Sequence, residues 1–238
     1  MDKRGLKTSL VVSIVVMCIL CIYLVYYVMQ QNNNSNNDNK VVENSKSTDI
    51  LLLERYVDAF NNNCVDMKPF YVGKTLISDI DSNIKLTTIL NMSNNYNKSY
   101  IENEYKKIFN EDISIDKVTG TCPKITYNNG VISKLDCTCN NKSGVVTQFI
   151  KSIKSDNNVK LYYKVAFYSS KKYLGNENRF LSKDASGKEI IDSRVLKDDV
   201  KELDYQEYLN DNYNDFYTFV YTFNKNNDNY YFYSISKE

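Results

Sequence analysis

The longest uninterrupted apolar stretch of the chain covers residues 10–29, and it contains no charged side chain. An α-helix rises about 1.5 Å per residue, so twenty residues cover roughly 30 Å, which is the thickness of the hydrocarbon core of a bilayer. Twelve of these positions are Leu, Ile or Val, the side chains that favour insertion of a helix into lipid. The stretch therefore predicts a transmembrane helix that anchors the chain in a lipid bilayer.

The charged and aromatic residues around this stretch predict its orientation. The positive charges that precede it are Lys3, Arg4 and Lys7. The tyrosines near its C-terminal end, where we expect the headgroup layer, are Tyr23, Tyr26 and Tyr27. The positive-inside rule then makes residues 1–9 a cytoplasmic tail and places everything after residue 29 outside the cell membrane. A cleaved signal peptide is the alternative, but its apolar region is shorter and ends in small residues, whereas this one ends in Tyr-Tyr-Val-Met.

A polar segment at residues 30–47 follows the apolar stretch. Its first part is almost wholly Asn, Gln, Ser and Asp without periodicity, and such a sequence cannot bury a core. The segment predicts a flexible linker, with a root-mean-square span of about 25 Å for a chain of this length. Residues 48–238 have the size of one ordinary domain, which we expect outside the cell and close to the membrane surface.

This domain begins with apolar residues at helical spacing. The segments 48–60, 78–92 and 100–109 each carry such a stripe, and Thr48 or Asp49 is the expected N-cap of the first. The expected core positions are Ile50, Leu53, Val57, Phe60, Ile80, Ile84, Thr87 or Thr88, Ile101, Tyr105, Ile108 and Phe109. The pattern therefore predicts three N-terminal helices.

The pattern changes to the period of strands after residue 120. Segments 124–127 and 131–137 flank Asn129-Gly130, which is a strong signal for a two-residue hairpin turn. Residues 161–168 alternate, and residues 198–209 fit a short helix. A last, aromatic hairpin is predicted at 216–223 and 230–235, joined by a polar turn at 224–229. Helices followed by an antiparallel sheet predict an α+β domain.

The anchor, the Asn-rich linker, Cys122-Pro123 and the closing hairpin carry a resemblance. In that hairpin, Tyr221-Thr222-Phe223 precedes Tyr231-Phe232-Tyr233-Ser234-Ile235. The chain is similar to the single-pass membrane-anchored surface proteins of AT-rich Gram-positive bacteria. The resemblance covers most of the chain and implies an envelope location, without implying an activity or a catalytic residue. The element order also resembles that of cone-shaped cystatin-like or NTF2-like domains.

The cysteines beyond the anchor are Cys64, Cys122, Cys137 and Cys139. If Asn129-Gly130 forms the turn, the hairpin register places Cys122 opposite Cys137, and a shift of two residues places it opposite Cys139. Opposed Cα atoms lie about 4.5–5.5 Å apart, which suits a disulfide. We therefore expect Cys122 to bond one of these two, with Cys64 either bonded to the remaining cysteine or free. Free thiols and a metal site are the alternatives, although the spacing fits no usual zinc pair.

Composition excludes several chemistries. The chain has no histidine, which excludes a Ser–His–Asp triad, a Cys–His pair and a His-ligated zinc site. The segment Asp79–Asn83 begins like a calcium loop but lacks the glycine and the glutamate that such a loop requires later. A solvated helix face is expected for the acidic residues Asp198, Asp199, Glu202, Asp204 and Glu207. No catalytic, cofactor-binding or metal-ligating residue is predicted.

The net charge of the chain limits the classes of binding partner that it suggests. The chain has 30 basic and 29 acidic side chains and a net charge of +1, which gives no electrostatic signature of nucleic-acid binding. Lysines at 142, 151, 154, 160 and 164 are either scattered solvated charges or a surface for an anionic polymer or lipid.

Together these features predict a function outside the cytoplasm. We expect a membrane-tethered extracytoplasmic module, without a cofactor, that binds an unknown protein or a polymer of the envelope. One alternative is an envelope hydrolase or transferase that uses Asp or Glu. The other is a structural subunit of a membrane assembly.

Overall fold

The computed structural model describes residues 47–117, 124–135, 143–173, 176–195 and 204–238. The expected anchor, with its flanking charges and tyrosines, and the linker lie outside these ranges, as do Cys122, Cys137 and Cys139. Within the ranges, none of the helices combines the length and the hydropathy that a bilayer crossing needs.

The described residues form an α+β fold with four α-helices. These are α1 (Thr48–Asn61), α2 (Ser82–Met92), α3 (Lys98–Phe109) and α4 (Tyr205–Asp211). A side-chain oxygen caps the first free backbone N–H groups of each helix, and the capping residues are Ser47, Asp81, Asn97 and Asp204. The cap of α1 is therefore one residue before the expected Thr48 and two before the expected Asp49, because the hydroxyl of Ser47 accepts the backbone N–H of Ile50.

Nine antiparallel strands accompany these helices in the described residues. They are β1 (Lys74–Leu76), β2 (Lys124–Asn128), β3 (Val131–Leu135), β4 (Ser143–Lys154), β5 (Asn158–Tyr173), β6 (Asn176–Ser182), β7 (Ile190–Val195), β8 (Tyr217–Asn226) and β9 (Asn229–Lys237). Strands β2 and β3 form a separate hairpin, and the other seven form one sheet in the order β1-β9-β8-β5-β6-β7, with β4 also paired to β5.

The long strand β5 organises this sheet. Its first half, residues 158–165, pairs with β8, and its second half, residues 167–173, pairs with β6. Strand β4 pairs with β5 across both halves, from residue 159 to residue 169. A strand has two edges, so β4 occupies one edge of β5, while β8 and β6 share the other edge one after the other.

Helices α1 to α3 cover one face of the sheet. The main core brings the apolar stripes of these helices against alternate residues of β5, β8 and β9. Phe60 of α1, for example, meets Phe232 of β9 edge to face, with ring centres 5.4 Å apart. A smaller core lies on the opposite face, where Leu209 of α4 packs with Ala166 and Leu181.

Most element predictions agree with this fold. Every expected core position of the first and third stripes is buried. In the hairpin, Asn128 faces Val131 and Lys124 faces Leu135, so the register predicted from Asn129-Gly130 is confirmed. In the closing hairpin the strands are longer than expected, because Asn226 and Asn229 pair directly. Only residues 227 and 228 remain for the turn, and Asn227 adopts a φ of 54° there.

Candidate functional site

The outer face of the sheet, turned away from α1 to α3, carries lysine and tyrosine side chains. Successive residues of a strand point to opposite faces, so Lys160, Tyr162 and Lys164 of β5 share this face while the residues between them enter the main core. Lys151 of β4 faces Tyr162 across the ladder and therefore belongs to the same surface. We call the surface of these four residues the lysine face.

Charge is segregated in the sheet. Strands β4, β5, β8 and β9 contain eight lysines and no aspartate or glutamate, although the whole chain has a net charge of only +1. The eight are Lys151, Lys154, Lys160, Lys164, Lys171, Lys172, Lys225 and Lys237. Asp49 of α1 pairs with Lys154, but no carboxylate lies on the strands themselves, and the exposed lysines Lys151 and Lys160 favour an anionic partner.

The lysines of this face differ in how firmly they are held. Lys164 donates a hydrogen bond of 2.7 Å to the backbone carbonyl of Phe216, so its position is fixed. The ammonium of Lys151 lies 4.8 Å from the centre of the Tyr162 ring, a cation–π contact that leaves the exposed charge available. Lys160 is exposed, and no described carboxylate pairs with it.

Hydroxyl groups line the same face beside the lysines. Thr222 of β8 faces Lys160, and Thr218 faces Lys164, which places each hydroxyl about 5 Å from its lysine at the level of the Cβ atoms. Both threonines are half-buried. The surface thus combines positive charge with groups that donate and accept hydrogen bonds.

A second feature is a pocket of about 110 Å³ between α1, α2 and α3. Its apolar lining comes from Leu52, Ile89, Met92 and Ile108. Its polar lining comes from Arg55, Tyr56, Ser93, Tyr100 and Glu104. We call it the helix pocket.

The hydroxyl of Tyr56 is the least accessible polar group of the helix pocket. Its residue is only 2% exposed, and the hydroxyl has no hydrogen-bond partner within the described ranges. Burial raises the pKa of Tyr56 well above its ordinary value. Glu104 and Tyr100 raise it further, while the positive charge of Arg55 opposes them. The hydroxyl therefore stays neutral, and its proton and lone pairs are unused but closed to solvent.

The two charged groups of the helix pocket are of opposite sign. Arg55 is exposed at the rim, and no carboxylate in the described part of the chain pairs with it. The side chain of Glu104 is 26% exposed, and its nearest cation is Lys107, at 3.8 Å. Both charges are thus available to a ligand.

Neither Cys64 nor Lys154 belongs to the lysine face or to the helix pocket. Cys64 lies just after α1 and is disulfide-bonded. Every other cysteine of the chain lies outside the described residues, so the pairing of Cys122 stays a prediction. Lys154 does not join the lysine face, because it pairs with Asp49 of α1 at 3.3 Å on the helix side of the sheet.

The acidic candidates have structural roles where they are described. Asp204 caps α4, because its carboxylate accepts the backbone N–H groups of Gln206 and Glu207 at 2.9 and 3.0 Å. Residues 198–203 lie outside the described ranges. Among the described residues, no three His, Cys, Asp or Glu side chains converge as a metal-binding group, and Glu104 is the single carboxylate that lines the helix pocket.

Sequence reasoning missed the helix pocket. Its polar residues are spread over fifty positions, on α1, on α3 and directly after α2, and together they form no recognisable sequence motif. A buried tyrosine whose hydroxyl lacks a partner is visible only after the helices have packed.

No protein-family model, no curated protein and no solved structure matches the chain. The functional conclusion therefore rests on the geometry of the lysine face and of the helix pocket.

Proposed function

We propose that this chain is a membrane-tethered module of the cell envelope that binds an anionic envelope polymer on its lysine face. The observation that carries the proposal is the segregation of charge: eight lysines and no acid on four adjacent strands. An extended polyanion presents repeated negative charges, and a row of lysines along neighbouring strands matches them along its length.

The spacing of the face supports an extended ligand. Residues two apart on a strand lie about 6.8 Å apart, so the Cα atoms of Lys160 and Lys164 are separated by about 13 Å, with Tyr162 between them. Lys151 flanks this line on β4. A phosphodiester-linked polyol offers both anionic groups for the lysines and hydroxyl groups for Thr218 and Thr222.

The tether is part of the same proposal. The apolar residues 10–29 anchor the chain, and the positive charges before them hold the N-terminus in the cytoplasm. The linker then keeps the domain at the outer membrane–wall boundary, where anionic polymers are concentrated. Protease added to intact protoplasts should digest the domain. A protected domain with an accessible N-terminus would refute this orientation.

The finer fold is also a proposal. We infer a cone-shaped arrangement of the cystatin-like or NTF2-like type, in which the sheet curves around the helices. In support, three helices precede every strand of the sheet except the short β1, all three pack on one of its faces, and the strand β5 is long enough to pair with two successive partners on one edge.

The binding test uses the purified full-length chain in non-ionic detergent and immobilised poly(glycerol phosphate). The double variant Lys151→Gln/Lys160→Gln should bind about tenfold more weakly, because exposed charge contacts each contribute up to about 1 kcal/mol. The matched control is Lys106→Gln/Lys107→Gln on α3, which removes the same charge from another part of the domain and should bind like the wild type.

Two further measurements separate the alternatives. Binding should weaken steeply as salt is raised, since exposed charges are screened. A DNA oligonucleotide and vesicles with anionic lipid serve as competitors. Equal binding of DNA would indicate unspecific attraction, and preferential binding of vesicles would indicate a lipid surface. Either result, or an equal loss in the control variant, would overturn the polymer proposal.

A further inference from the structure

The helix pocket carries an inference that does not depend on the lysine face. We propose that this pocket binds a small zwitterion, namely an α-amino acid with a short apolar side chain, whose carboxylate meets Arg55 and whose ammonium group meets Glu104. Three features of the pocket lead to this ligand class.

The first feature is the unpartnered hydroxyl of Tyr56. A buried polar group without a hydrogen bond is costly, and native proteins rarely leave one without a reason. This hydroxyl sits within electrostatic range of Arg55, Tyr100 and Glu104, all of which line the pocket. The hydroxyl is closed to solvent in the structure, so a ligand carboxylate or ammonium supplies the missing partner only when the exposed side chain of Arg55 or Tyr100 moves aside.

The second feature is the pair of opposite charges. Arg55 comes from α1 and Glu104 from α3, and neither is bonded to the other. Guanidinium groups bind carboxylates with two parallel hydrogen bonds, and a carboxylate is a natural partner of an ammonium group. A zwitterion complements both side chains, because its ammonium group can approach Glu104 more closely than Lys107 does at 3.8 Å.

The third feature is the size and lining of the space. A volume of about 110 Å³ equals the share of about four water molecules in the liquid. The buried side chains of Ile89 and Ile108 and the half-buried Met92 make part of the wall apolar. A short aliphatic side chain fits this wall.

The test measures binding of alanine to the full-length chain in non-ionic detergent by isothermal titration calorimetry. L-alanine and D-alanine are the probes, and propionate and ethylamine each retain only one of the two charges. We expect saturable binding of at least one alanine enantiomer, with both single-charge compounds binding at least about tenfold more weakly. If neither enantiomer binds at alanine concentrations up to about 10 mM, roughly tenfold above a Kd of 1 mM, the proposal is overturned.

Variants locate the site. Arg55→Gln changes an exposed side chain, so the domain should stay folded while affinity for the enantiomer that binds falls by about tenfold or more. Tyr56→Phe removes only the unpartnered hydroxyl and should weaken binding several-fold without lowering the melting temperature. The matched controls are Lys106→Gln, on the same helix as Glu104, and Tyr163→Phe, which removes a second unpartnered buried hydroxyl outside the pocket.

Both controls should bind alanine like the wild type. Unchanged binding in both Arg55→Gln and Tyr56→Phe would show that the ligand sits elsewhere, and would overturn the assignment of the helix pocket.

Discussion

Tyr71 and Tyr163, two buried tyrosines of the main core, allow a sharp test of how hydrogen bonds stabilise this domain. Tyr71 donates its hydroxyl proton to the side-chain carbonyl of Asn61 and also contacts the hydroxyl of Tyr221. The amide of Asn61 donates to Tyr221 at 3.0 Å, which closes a ring of three residues. Because Tyr71 uses its one proton on Asn61, Tyr221 is the donor to Tyr71. Tyr163, in contrast, is equally buried, and its hydroxyl has no partner among the described residues.

The variants Tyr71→Phe and Tyr163→Phe each remove one tyrosine hydroxyl from the core. Tyr71→Phe breaks two hydrogen bonds and leaves the buried carbonyl oxygen of Asn61 unpaired, which together cost about 3 kcal/mol of unfolding free energy. Tyr163→Phe breaks no hydrogen bond and ends the burial of an unpaired hydroxyl, so stability should stay within about 0.5 kcal/mol or rise. The aromatic ring remains in both variants, so packing is nearly unchanged.

The assay is equilibrium unfolding of the full-length chain by denaturant, followed by far-ultraviolet circular dichroism. The free energies of unfolding of both variants are compared with that of the wild type, at equal slopes against denaturant concentration. Equal losses in the two variants would refute the reasoning, because they would show that the hydroxyl networks do not distinguish the two sites. A loss above about 1 kcal/mol in Tyr163→Phe would show that its hydroxyl has a partner in solution.

Three further predictions concern buried charge, alkaline pH and the cysteines. Lys85 is only 2% exposed, and its Nζ atom donates to both carboxylate oxygens of Glu111 at 2.8 and 2.7 Å. Glu111→Ala leaves this buried cation without a partner, so thermal and chemical unfolding should show a loss of stability of about 3 kcal/mol. Lys85→Met should cost less, because Glu111 is partly exposed to water. Burial raises the pKa of six tyrosines, so stability is fully present below pH 10 and falls above it by up to about 1.4 kcal/mol per pH unit for each, as a pH titration of unfolding should show; the six are Tyr56, Tyr71, Tyr105, Tyr163, Tyr168 and Tyr221. Non-reducing digestion with mass spectrometry should find Cys122 linked to Cys137 or Cys139, and Cys122→Ala should then lose about 2–4 kcal/mol; a peptide linking Cys122 to Cys64 would contradict this.

The helices could be predicted from the sequence because their signal is local. The stripe of α3, Ile101, Tyr105, Ile108 and Phe109, is determined by residues within a few turns of one another, and all four are buried as expected. Strands β6 and β7 escaped prediction because they carry few apolar residues in alternation. Strand β6 pairs with β5, which directly precedes it in sequence, and β7 pairs with β6, so it was the weak pattern of the two strands, and not the distance to their partners, that concealed them.

The residues that make up the lysine face could not all be predicted from the local sequence. Simple alternation puts Lys160 and Lys164 on one face, but it gives no position for Lys151 relative to them. An irregularity between Phe149 and Lys151 shifts the register of β4. A bulge of this kind reverses the alternation of side chains, so Phe149 enters the main core while Lys151, two residues later, faces outward. The same shift turns Lys154 back toward Asp49 of α1.

The pairing of β1 with β9 affects the order in which the chain can fold. Lys74 of β1 faces Ser236 of β9, so nearly the whole domain must be synthesised before this ladder closes. Strand β8, next to β9, also supplies the only partner on its edge for the first half of β5 within the described residues. Loss of the last hairpin would therefore expose the edge of β5 together with the part of the apolar core that β8 and β9 cover, and such edges promote aggregation. Contacts between residues so far apart in sequence also slow folding, so a C-terminal truncation of about twenty residues is expected to abolish the fold rather than trim it.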